Sequence, residues 1–141
     1  MVYPQFVTKW LGRFCDYDHL FGNQCVDLIR QYCLERFGVS GYIAIPPTGN
    51  AKDIFKNFIE NKYFKKIYNS PINIPKQGDI LFFKTSLFFP WLFGWAGHVG
   101  IVDSADLYNI VLFNQNYLIG SACKFTRFGY KDCLGWLTPK L

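Results

Sequence analysis

With 141 residues, half of them hydrophobic and one in five aromatic, the chain can bury one substantial core and is too aromatic to be disordered. A net charge of +5 with a single adjacent basic pair, Lys65-Lys66, argues against a nucleic-acid footprint. No apolar run reaches the ~20 residues of a membrane helix, so no transmembrane segment is expected. One domain over 1–141 and a monomer are the expectation. Met1 to Trp10 lacks a basic segment followed by an apolar one, so no secretory signal is read. The five cysteines, an odd number, are expected to be reduced, with Cys33, Cys123 and Cys133 as small core residues.

The first patterned stretch begins at Asp16. Counted from there, carboxylates fall at positions one, three and twelve (Asp16, Asp18, Asp27), with the carbonyls of Leu20 and Gly22 at five and seven. This is the spacing of an EF-hand-like calcium loop, although Phe21 stands where such loops carry Gly and Asp27 where they carry Glu. Calcium is the expected ion, since three convergent carboxylates without a cation would repel one another. No organic cofactor is expected. His19 reads as peripheral.

A helix is expected over 24–37. Val26, Ile29, Cys33 and Phe37 recur at helical spacing, and Gly38 is placed to end it. Cys25 then stands at a helix N-terminus, where its thiolate is favoured. Asn50 caps a second helix with an apolar face of Ala51, Ile54, Phe55, Phe58 and Ile59. After Asn69-Ser70-Pro71 the pattern changes to short apolar or β-branched runs, read as strands near 79–84, 98–103, 109–114, 122–127 and 133–138. Helices first and strands after imply an α+β fold. His98 opens one strand between Gly97 and Gly100, while Asn114-Gln115-Asn116 closes the next. Nucleophile, base and amide thus stand in the order Cys, His, Asn, and both Asn114 and Asn116 compete to orient the imidazole. The aromatic run Leu87 to Trp95 is divided between two readings, core and an exposed substrate rim carrying Trp91 and Trp95.

Four blocks, in order, carry a family resemblance: Phe21-Gly-Asn-Gln-Cys-Val-Asp-Leu, Pro75-Lys-Gln-Gly-Asp-Ile-Leu-Phe-Phe, Gly97-His-Val-Gly-Ile-Val and Asn114-Gln-Asn. Together they resemble the CHAP family of cysteine, histidine-dependent amidohydrolases/peptidases, of the phage endolysin or virion-associated lysin type. The resemblance implies a papain-like fold, with N-terminal helices packed on a curled antiparallel sheet of about five to six strands. It implies Cys25 as nucleophile, His98 as base, ion-paired with the thiolate, and Asn114 as the orienting amide. Gln24 would be an oxyanion donor and Asn116 a neighbour of the cleft. The calcium loop resembles one found before the nucleophile in a subset of these lysins.

The implied substrate is bacterial peptidoglycan, cut as an endopeptidase on stem or cross-bridge bonds or as an amidase at the sugar-to-peptide junction, causing cell-wall lysis. The positive charge would also suit anionic wall polymers. A protein without a signal would be made in the host cytoplasm and released by a phage pore, or be carried on the virion. Two other readings remain at this point, a non-catalytic wall-binding or virion structural module of papain-like shape and an amidase on a small soluble amide.

Overall fold

The computed structural model describes residues 1–20, 22, 24–85, 96–118 and 120–140. Trp91 and Trp95, and the rest of the aromatic run from Leu87, lie outside the described residues.

Four helices precede or flank a six-stranded sheet: α1 (Tyr3–Trp10), α2 (Cys25–Phe37), α3 (Gly41–Ala44) and α4 (Ala51–Asn57), then β1 (Phe64–Tyr68), β2 (Ile80–Phe83), β3 (His98–Ala105), β4 (Ile110–Asn114), β5 (Lys124–Phe128) and β6 (Cys133–Pro139). The strand order is β1-β6-β2-β3-β4-β5, and every pairing is antiparallel. The architecture is the expected α+β one, helices on a curled antiparallel sheet.

Helix α2 starts where the sequence places it, for a local reason. Asp27, in its first turn, accepts the backbone N–H of Gln24 at 2.9 Å, satisfying a donor that a helix start would otherwise leave unpaired. It ends at Gly38, whose left-handed backbone (φ 71°) lets its N–H close on the Leu34 carbonyl at 2.9 Å. The face that packs is rotated by about one position from the expected one. Leu28, Ile29, Tyr32 and Cys33 are buried, while Val26 and Phe37 are only half-buried. Helix α4 stops at Asn57, before Phe58 and Ile59; Phe58 still reaches the core, whereas Ile59 is 84% exposed.

The two faces of the sheet carry separate cores. On the helix side, Val99, Ile101 and Phe113 join Phe6, Leu28, Ile29, Tyr32, Phe55 and Phe64. On the other, Leu81, Phe83, Val102, Ile110, Leu112, Phe128 and Trp136 pack together as the sheet curls over itself. Strand periodicity therefore sends His98 and Asn114 to the second face and Val99, Phe113 and Gln115 to the helix side.

Three elements were missed in the sequence, one of them the four-residue helix α3, where Ser40 caps the start by accepting the Tyr42 N–H at 3.2 Å. Strand β1 holds Lys65 and Lys66 in the middle of its five residues, which masks its alternation; it is a sheet edge, where lysines are tolerated because they discourage further pairing. Helix α1 carries a proline in its first turn and buries only Tyr3 and Phe6, too short an apolar stripe to declare itself without its partners Tyr32 and Phe113.

Candidate active site

The start of α2 and the start of β3 meet. Cys25, half-buried, has its sulfur beside the backbone N–H of Val99, the residue that follows His98. Burial pushes the Cys25 thiol up to about 11, while the Val99 N–H and the N–H groups of the helix start pull it back toward the thiolate. Burial also drives His98 down to about 4, opposed by its bond to Asn114. Desolvation thus opposes charge on the thiol and on the imidazole alike.

His98 is 3% exposed and its Nε2 lies 2.8 Å from Asn114 Oδ1. The Asn114 amide can face only one way. Its Nδ2 has the Leu112 carbonyl at 3.3 Å, the Lys124 carbonyl at 3.1 Å and Thr126 Oγ1 at 3.0 Å, all acceptors. The oxygen must then point at the imidazole, so Nε2 carries the proton it donates and the neutral ring keeps its lone pair on Nδ1. Tyr117 and Phe128 flank the ring, with centroids 5.3 and 6.0 Å away. The two glycines around His98 permit close approach by neighbours. At Gly97 (φ 81°) a Cβ would fall 2.6 Å from the Phe83 carbonyl oxygen.

Of the two competing amides, Asn114 is the one in contact with His98. Asn116 adopts a left-handed backbone (φ 59°), and its Oδ1 accepts the Gly120 N–H at 2.5 Å. It closes a turn, as asparagine does well at positive φ. Gln24 caps α2 and is exposed, so its side chain is available to a substrate. Between Asn114 and Asn116 stands a residue to which the sequence assigned no role. Gln115 is 1% exposed and reaches back to Cys15 and Gln24, on either side of the acidic loop.

That loop brings Asp16, Asp18 and Asp27 together, one carboxylate oxygen from each lying within 4.8 Å of the others. Two oxygens bound to one calcium at about 2.4 Å can be at most about 4.8 Å apart, so the spacing fits a shared ion. Asp16 Oδ1 is buried without a hydrogen-bond partner among the described residues. Burial pushes Asp27 up to about 6; the Gln24 N–H opposes this, and the neighbouring Asp18 and Asp16 reinforce it. Of the two expected carbonyl donors, Gly22 already accepts the Gln24 N–H at 3.1 Å, and Leu20 turns its N–H to Asp18 Oδ1 at 2.9 Å. Tyr42 donates to Asp18 Oδ2 at 3.3 Å. His19 sits exposed in this loop with φ 57°.

None of the curated proteins matches the sequence. Among solved structures, the crystal structure of a wild type endolysin, LysIME-EF1, superposes with a TM-score of 0.73 at 24% identity, covering 96% of this chain and 61% of its own. The structure of Ly7917 gives a TM-score of 0.55 at 18% identity over 82% of this chain and 53% of its own. The chain therefore spans little more than half the length of these neighbours, and at such identities the likeness speaks for the fold. The sequence of the site says more. Residues 14–116 match the CHAP domain, a stretch that opens beside the acidic loop, takes in Cys25, His98 and Asn114, and closes on the turn at Asn116; the chain belongs to the CHAP domain family.

Proposed function

We propose that the chain is a cysteine-dependent hydrolase of bacterial peptidoglycan, its 141 residues forming one catalytic domain that acts on the cell wall. One observation carries this reading: a thiol at a helix start beside the amide of Val99, the residue that follows His98 in the chain, with His98 Nε2 held by Asn114. Membership of the CHAP domain family supports an amide substrate, and the word endolysin in the name of the LysIME-EF1 structure supports the wall as its source.

In this reading Cys25 Sγ attacks the scissile carbonyl carbon as its proton passes to His98 Nδ1. Burial of both groups makes the proton transfer concerted with attack. The developing oxyanion takes hydrogen bonds from the Cys25 backbone N–H and the Gln24 side chain. The imidazolium, kept in plane by Asn114, then protonates the leaving nitrogen as the C–N bond breaks. Water, deprotonated by the same ring, cleaves the thioester and restores the thiol. Asp16, Asp18 and Asp27, joined by the carbonyls of Leu20 and Gly22, would hold calcium, which would supply the positive charge that lets three carboxylates share one loop. The chain's own contribution there is to deliver Gln24 and Cys25 to the helix start.

Endopeptidase action is preferred over amidase action, and the products separate the two. Digesting purified peptidoglycan and weighing the fragments should reveal new peptide amino termini from a cut within the stem or cross-bridge. Release of intact stem peptides from the glycan would instead make it an amidase. A fragment pattern identical to that of a Cys25→Ala protein would overturn the proposal.

A further inference from the structure

The buried amide of Gln115 uses every hydrogen-bonding position it has. Its Oε1 accepts the Cys15 N–H at 2.9 Å and the Cys123 thiol at 3.3 Å, and its Nε2 donates to the Cys15 carbonyl at 2.6 Å and the Gln24 carbonyl at 2.7 Å. A buried amide with all four positions filled has one orientation, because rotating it would strand donors against donors. Both backbone groups of Cys15 are thus paired by a side chain, as a neighbouring strand would pair them, and the same side chain holds the carbonyl of the residue that caps α2. Cys15 and Gln24 are the two feet of the acidic loop, and Cys25 follows directly. Asn114 and Gln115 are consecutive but face opposite ways. The first turns to His98 on one side of the sheet, and the second turns to the nucleophile's loop on the other.

We propose that Gln115 is a positioning residue for the reaction: it locks the loop that carries Cys25 to the same backbone that orients His98, so that one dipeptide sets nucleophile and base against each other. The proposal rests on the hydrolase reading for its kinetic consequence and on the structure alone for its mechanical one. Misplacing reacting groups by about 1 Å can cost about 100-fold in rate, so the lock matters to turnover more than to substrate affinity.

The test uses Gln115→Ala and Gln115→Glu, with Cys123→Ser as the control that keeps a donor to Oε1. Glutamate fills the same volume and keeps acceptors but loses both N–H groups. Each folded variant should lose at least tenfold in kcat on purified peptidoglycan, with KM within threefold of wild type. Lowering the pH should restore part of the Gln115→Glu loss, since a protonated carboxyl regains one donor; Cys123→Ser should stay within threefold throughout. Hydrogen exchange needs no substrate, and in either Gln115 variant it should speed up at least tenfold over residues 13–26 while β4 stays protected. A folded variant with near-normal kcat, a loss carried by KM alone, or unchanged exchange in that segment would overturn the proposal. So would failure of both variants to fold, which would make Gln115 a requirement of folding. A wild type without wall activity, but with the exchange change intact in the variants, would refute the hydrolase reading and leave the lock standing.

Discussion

Gly100 lies flat against Asn114: a Cβ added at Gly100 would stand 2.9 Å from the Asn114 Cβ and 3.1 Å from Leu112 Cδ1. Two strands thus close over the amide that contacts His98, and a single methyl group would force it away. Gly100→Ala should lower stability by about 1–3 kcal/mol, the usual cost of overpacking, and should lower turnover as well by tilting Asn114. Thermal melts and wall-turbidity assays on one preparation check both. Normal turnover in a destabilised protein would show that the imidazole tolerates the shift.

Removal of the orienting amide should be distinguishable from removal of the turn beside it. Asn114→Ala should cut turnover by about tenfold or more, less than loss of the base, because the ring keeps its place between Tyr117 and Phe128 but loses its preferred tautomer. Asn116→Ala, at φ 59°, should act chiefly on stability, by about 1 kcal/mol, and Asn116→Gly should recover much of it. If Asn116→Ala proves the more damaging to turnover, the two assignments are reversed.

Replacing either half of the reacting pair should abolish lysis without unfolding the chain. Cys25→Ala and His98→Ala are expected to reduce activity by at least about a thousandfold, whereas Cys33→Ala, at a core position, should keep the activity of the molecules that fold. Circular dichroism and turbidity loss measure the two properties. Lysis by a folded Cys25→Ala protein would exclude the thiol mechanism.

Stability should respond to pH in two opposed ways. His98, driven by burial from 6.5 to about 4, contributes stability that is complete above pH 6.5 and is lost as pH falls toward 4. Asp79, raised by burial from 3.8 to about 6, contributes the reverse: its stability is complete below 3.8 and is lost as pH rises through 6. Asp27, also raised from 3.8 to about 6, adds to the Asp79 slope, so wild-type stability should fall as pH rises from 4 to 6.5. Asp79→Asn should leave the His98 and Asp27 slopes nearly cancelling, each up to about 3 kcal/mol across its shift at 1.36 kcal/mol per pH unit, and so flatten the profile. His98→Gln should leave a protein that weakens as pH rises over the same range. Denaturant titrations at several pH values read both slopes, and parallel curves for all three proteins would refute the assignment.

Calcium should stabilise the native state if the acidic loop holds it. At a hundredfold excess over its dissociation constant, one ion adds about 2.7 kcal/mol, so melts in calcium should lie above melts in chelator. Asp18→Ala should remove the difference, and chelation should lower lysis. Superimposable wild-type melts with no heat on titration would reduce the aspartates to an acidic turn, with the cysteine mechanism unaffected.

What could be read from the chain alone was whatever local chemistry marks. The cap at Gln24 and Asp27, the stop at Gly38 and the glycines around His98 announce element ends, and the candidate nucleophile, base and amide all sit at such ends. The carboxylate spacing in the acidic loop is equally local, so its convergence was legible too. The choice between Asn114 and Asn116 needed the tertiary structure, because it depends on the turn that carries Asn116 off the end of β4 and on acceptors contributed by β5. Gln115 was invisible for a stronger reason. Its partners lie 91 and 100 residues earlier, and a lone glutamine between two asparagines resembles any polar turn until folding buries it. How strongly desolvation opposes charge on the thiol and the imidazole was likewise set by the fold, since only the packed molecule determines how much water is excluded.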